Sequence, residues 1–216
     1  MTFRNSPRST YCLTRPDSLY QHLHPELEIM SQAADRNRKD APTSKKLEEL
    51  YSLIEGIEIA MFTTRRPDGH LVSRPMATQT QAEGTDLWFV TDIESHKLDE
   101  LEFDPNVNLA YYRDGTREWV SVSGHASITQ DRRAIHELYR KDWKAWFGDE
   151  GGERDGGPDD PRLALVLVDV HSVTYLKVDK PKPLVLFEVA KALVTGTPPK
   201  VGAERELSGE EIDRGR

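Results

Sequence analysis

The chain has 216 residues, enough for one generous domain or a domain with tails, and its 37% hydrophobic against 31% charged residues mean that polar residues must collect in tails and loops. A net charge of −8 argues against nucleic acid as a partner, since nonspecific binding needs basic surface for phosphate contacts, but it leaves room for a local basic pocket. The single cysteine, Cys12, excludes an intrachain disulfide and suggests a reducing compartment, with the cytoplasm as the expected location. No membrane partner is expected either: Leu163-Ala164-Leu165-Val166-Leu167-Val168 is about the longest apolar run, and residues 1–15 lack the apolar segment of a secretory signal.

Residues 1–42 are polar and charged without sustained periodicity and read as a disordered N-terminal arm. Within it, Met30-Ser31-Gln32-Ala33 resembles a bacterial translation start, so residues 1–29 are either a genuine flexible extension or lie upstream of the true start. The folded domain is expected over residues 43–199. Thr43 or Ser44 can cap a helix whose Leu47, Leu50, Tyr51 and Ile54 share a face, and Gly56 can end it. Residues 57–64 read as a strand, Pro67-Asp68-Gly69 as a turn, and residues 71–81 as the return strand. Pro75 cannot donate a ladder hydrogen bond, so an edge, a bulge or a ligand-facing kink is implied there.

Residues 87–91 are the next strand and residues 95–103 a short helix, broken by Asp104-Pro105-Asn106. Residues 107–113 and 119–128 are two more strands. In the second, Val120, Val122, Ala126 and Ile128 alternate with Trp119, Ser121, Ser123 and Ser127, the pattern of a half-buried antiparallel strand. Asp131 caps a helix expected to run to about Phe147, and the Gly- and Asp-rich residues 148–161 are a loop whose acidic groups are expected to stay solvated. Residues 163–178 read as one long strand or two joined by a bend, and residues 184–194 as a final helix stopped by Gly196-Thr197-Pro198-Pro199. Residues 200–216 read as a flexible C-terminal tail. The fold class is therefore mainly β with short helices (α+β), six or seven strands closing as an antiparallel barrel rather than as βαβ units.

The chemistry concentrates in Ser73-Arg74-Pro75-Met76-Ala77-Thr78-Gln79, Leu87-Trp88-Phe89-Val90-Thr91 and Ser95-His96-Lys97. Arg74 and Lys97 can meet a phosphate, and Thr91 and Ser95 can donate hydroxyl hydrogen bonds to it. Lys97 sits in the first turn of the short helix, where free backbone N–H groups favour anions. Single cations of this kind are usually ordinary surface charges; here the argument rests on their combination. No metal site is expected, because His22 and His24 have no further ligands nearby, and His125 reads as a structural histidine. The chain has no G-x-S-x-G, P-loop or G-x-G-x-x-G.

Taken together, these motifs resemble the pyridoxamine 5'-phosphate oxidase-like proteins, the FMN-binding split-barrel family, and within it the general stress protein branch. The resemblance implies a split β-barrel homodimer with flavin at the subunit interface, FMN as cofactor with FAD as the alternative, and a small-molecule ligand. It implies backbone around Pro75 and Met76, with Gln79, along the flavin ring; Val90 and Thr91 near the ribityl-phosphate end; and Ser95, His96 and Lys97 on the phosphate. Trp119 matches a position facing the partner's cofactor, and Trp146 precedes Phe147 where related stress proteins carry an aromatic pair. The family's oxidases often have Arg-Lys where this chain has His96-Lys97, which weakens the phosphate grip because imidazole is only partly charged at neutral pH. True pyridoxamine phosphate oxidation is not implied, because Tyr175-Leu176-Lys177-Val178 stands where the oxidases carry a substrate-gripping signature. Two functions stay open: an FMN-dependent oxidoreductase of unknown substrate, and a flavin-binding stress protein that stores or senses flavin.

Overall fold

The computed structural model describes residues 40–79, 86–197 and 199–215. The expected arm therefore lies almost wholly outside the described residues. Helix α1 (Thr43–Ile57) buries Leu47, Leu50, Leu53 and Ile54 on one face. Its cap is Pro42 rather than Thr43 or Ser44, with no side-chain capping bond; the Pro42 carbonyl takes the first N–H groups instead. Gly56 does not end the helix but lies inside it, where a Cβ would collide with the Arg113 guanidinium. The helix stops one turn position later, at Glu58, with a positive φ of 66°.

Strands β1 (Ile59–Arg65), β2 (Leu71–Ala77), β3 (Leu87–Asp92), β4 (Asn106–Arg113), β5 (Glu118–Thr129), β6 (Leu163–Lys177) and β7 (Ala203–Ser208) form one antiparallel sheet among the described residues. Its order is β2-β1-β4-β5-β6-β3, with β7 also on β6. This curled, split-barrel sheet with short helices agrees with the fold class read from the sequence. Pro75 lies on β2, which among the described residues is an edge strand paired with β1 alone, so its missing N–H costs no ladder bond there.

One edge of β6 pairs with β5 along its length, while the other is shared: Leu163–Val168 holds β3 and Ser172–Lys177 holds β7. The register shifts at Ser123/Gly124, and a side chain at Gly124 would strike the Asp169 carbonyl, so only glycine allows the sheet to fold this tightly there. Alternation along β5 sends Val120, Val122 and Ala126 inward against α1, Phe62, Leu109 and Tyr111. Strand β3 is buried on both faces: Leu87 and Phe89 join this main core, whereas Trp88 joins a second cluster with Ile135, Trp143, Leu163 and Leu165.

Three further expectations are corrected. The helix after Asp131 does not reach Phe147 unbroken. Asp131 caps α3 (Arg132–Leu138), Tyr139 turns extended with ψ 133°, and a 3-10 turn (Lys141–Trp143) leads into α4 (Lys144–Phe147). The break lets the Tyr139 hydroxyl donate to the Gly156 carbonyl while Trp143 packs edge-on against Trp88 and Tyr139. The acidic loop is not simply solvated. Arg162, 2% exposed, donates to the Phe147, Gly148 and Arg154 carbonyls and to Glu150 and the fully buried Asp160. Finally, the segment read as a flexible C-terminal tail is folded over residues 203–214. After α5 (Lys182–Thr195) the chain returns as β7 and then α6 (Gly209–Arg214), placing Ala203, Leu207 and Ile212 in the interior. Ser208 and Glu211 form a reciprocal capping box, satisfying two N–H groups at the α6 start.

Candidate functional site

Alternation on β2 turns Val72, Arg74 and Met76 to the barrel interior and Ser73, Pro75 and Ala77 to the outer face. Arg74 therefore reaches inward across the barrel mouth. One guanidinium nitrogen donates to Thr64 Oγ1 on β1 at 3.0 Å, and the other to Glu100 Oε2 at 2.8 Å. Glu100 stands on α2 (Lys97–Phe103), one turn after Lys97, and also accepts from the Thr64 hydroxyl. Lys97 folds back so that its ammonium donates to the buried Thr91 hydroxyl at the end of β3. The structure thus brings Arg74, Thr91 and Lys97 near one another from three separate elements, and adds Thr64 and Glu100.

The electrostatics of this cluster are set by two cations and one carboxylate in partial burial. Burial, and next the charge of Arg74, push the Lys97 ammonium below its ordinary range, opposed by Asp92 and Glu100. Burial works to raise Glu100, but hydrogen bonds from Thr64 and Arg74, with the charge of Arg74, outweigh it and hold the carboxyl below its usual value. Glu100 is therefore ionised at neutral pH. Ser95 lies half-buried in the turn between β3 and α2, its N–H bonded to the Asp92 carbonyl. The turn is tied from outside by Glu94, which receives both terminal nitrogens of Arg154.

The other expected residues lie elsewhere. The His96 side chain is 99% exposed beside Asp99 at 3.7 Å, so in this arrangement it adds nothing to the cation pair. Met76 is buried in the main core, leaving only its backbone for any ligand. Val90 is half-buried and packs on the Trp88 cluster. Gln79 donates its N–H to the Trp88 carbonyl, and its side-chain oxygen accepts from the Trp143 indole at 3.2 Å. It borders a cleft of about 470 Å³ lined also by Tyr51, Glu58, Thr78 and Arg140. Trp119 is half-buried on the outer sheet face, paired across strands with Tyr112 and Leu176. Trp146 is 88% exposed on α4.

Sequence reasoning missed Trp143, Thr64 and Glu100. Trp143 was legible only as the i+4 neighbour of Tyr139. Glu100 follows Lys97 by three residues, which places both on one side of a helix, but nothing local says that Arg74 will meet it. Among the described residues no group of three or more His, Cys, Asp or Glu is placed to hold a metal, and no helix is long and apolar enough to cross a membrane.

Residues 45–200 match the model of the family described as pyridoxamine 5'-phosphate oxidase like. The chain belongs to this family. It is 38% identical over 180 residues to protein bli-3 of Neurospora crassa, covering 82% of this chain and 86% of that protein. It is 25% identical over 107 residues to general stress protein 26 of Bacillus subtilis, covering 48% of this chain and 71% of that one. The fold is similar to that of a provisionally assigned general stress protein 26 from Jannaschia sp. CCS1, with TM-score 0.58 and 23% identity over 76% of this chain and 98% of that one.

Proposed function

We propose that this protein binds FMN, with FAD as the weaker alternative, and acts as a cytoplasmic flavin-dependent oxidoreductase on a small molecule. The observation that carries this reading is the Arg74–Thr91–Lys97 cluster: two cations near one another in partial burial, Arg74 bonded to the Thr64 hydroxyl and Lys97 to the Thr91 hydroxyl, favour an anion. A phosphomonoester suits that donor set. Arg74, Thr91, Ser95 and Lys97 would hold the phosphate, and the backbone beside Pro75 and Gln79 would follow the ring. Bound there, the flavin would supply electron transfer; the chain supplies binding, orientation and charge.

A second copy of the chain would complete the site on the outer sheet face. That face presents Ile59, Met61, Leu71 and Tyr112, all exposed, beside Trp119 and the small residues Ala110, Ser121 and Thr174. Helix α5 adds exposed Leu186, Phe187, Leu193 and Val194. Apolar area of this kind suits a partner surface better than water.

Fluorescence titration of the purified protein tests the reading. FMN should bind at least about tenfold more tightly than riboflavin, which lacks the phosphate. Equal affinity for both would remove the phosphate argument. Turnover with reduced nicotinamide and a panel of acceptors then separates an oxidoreductase from a protein that only stores or senses flavin.

A further inference from the structure

The same cluster contains a carboxylate that an anion site has no evident use for. Glu100 is 8% exposed and ionised, and it already holds one arm of Arg74, the residue assigned to the ligand's phosphate. We propose that Glu100 competes with the ligand's phosphate for Arg74, stabilising the Arg74–Lys97 pair at the expense of ligand affinity. This rests on the reading that a phosphorylated ligand binds at Arg74 and Lys97.

The argument is one of charge. Arg74 and Lys97 are close enough that the first lowers the proton affinity of the second. With no ligand, two like charges in partial burial repel and are poorly solvated. Two cations and the Glu100 carboxylate leave one net positive charge, and the next groups out cancel, since Arg66 acts on Glu100 and Asp92 on Lys97. Thr64 fixes the arrangement, donating to Glu100 while accepting from Arg74. When a phosphate dianion arrives, it must share Arg74 with a carboxylate of its own sign, which weakens binding. The residue therefore trades affinity for the stability of the cation pair.

Glu100→Gln separates this role from a purely structural one. Glutamine keeps an acceptor for Arg74 and Thr64 but loses the charge. The variant should melt at a lower temperature without ligand, yet bind FMN about threefold or more tightly, with riboflavin affinity unchanged. A residue that merely supported the fold would lower stability and weaken FMN together, and that result overturns the proposal. Unchanged FMN affinity overturns it too. If Glu100→Gln does not fold alone, the double variant Lys97→Gln/Glu100→Gln restores the cluster's net charge. It should bind FMN more tightly than Lys97→Gln, and equal or weaker binding refutes the inference. Failure of the underlying reading looks different: the unaltered protein would not distinguish FMN from riboflavin.

Discussion

Removing the last strand and helix should unfold this domain. Leu207 on β7 and Ile212 on α6 are 2% and 1% exposed, and both belong to the main core cluster. Leu207→Ala deletes a fully buried branched side chain beneath α1, at a cost of about 3 kcal/mol from lost transfer energy and the cavity left behind. For a domain of this size that is a fall in Tm of roughly 6–12 °C. Truncation after Val201 does more. It removes Ala203, Leu207 and Ile212 together, strips the β7 ladder from Ser172–Lys177, and takes Glu211 from the Lys46 ammonium. The cost approaches the whole stability of an ordinary domain, about 5–15 kcal/mol. Urea titration followed by tryptophan fluorescence measures it, because Trp88 and Trp143 are buried in the second cluster and report its loss. Glu210→Ala is the control: Glu210 and its partner Arg214 are largely exposed, so the change should stay within about 0.5 kcal/mol. A truncated chain that melts within about 2 °C of the full one would show that β7 and α6 contribute nothing to the core, and would refute the reasoning.

Three other outcomes follow from the structure. Lys97→Ala should weaken FMN by about 1.5–3 kcal/mol, the range for a hydrogen bond to a charged group, and leave riboflavin unchanged, whereas the exposed His96→Ala should change neither in the same titration. Asp160→Ala should lower stability by on the order of 3 kcal/mol in thermal melts, since it strips the buried partner from Arg162. The hydrogen bond from Arg162 holds the Asp160 carboxyl far below the ordinary carboxylate range, so its contribution should be complete above about pH 4 and vanish only as pH falls well below that in acid titration. Leu193→Glu on α5 should convert the proposed dimer to monomer in sedimentation at micromolar concentration without lowering the Tm of the domain, because Leu193 is 84% exposed in a single copy.

The sequence alone determined what depends on near neighbours. Strands β3, β4, β5 and β6 were readable because apolar residues alternate or run together between clear breakers, and a two-residue period needs no knowledge of the partner strand. Pro75 announced an edge, a bulge or a kink because a missing N–H is a local fact, and the sheet order decided for the edge. Arg74, Thr91 and Lys97 were singled out by residue type, as cations and a hydroxyl suited to a phosphate, and by the resemblance to the family. Tertiary structure decided the rest. Ala203, Arg205 and Leu207 alternate inward, but so short and polar a strand becomes stable only when the exposed half of the β6 edge is there to pair with it. Gly56 looked like a helix stop because the residue that crosses it, Arg113, is 57 positions away and reaches it only through the β4 ladder. His96 and Lys97 are adjacent in sequence, yet at the start of α2 the helical rotation sends one side chain to solvent and the other onto Thr91. Glu100 meets Arg74 because β2, β1 and α2 converge at one end of the barrel. Local propensity reaches only a few residues along the chain, and long-range charge pairing is settled by which elements the closed sheet brings together.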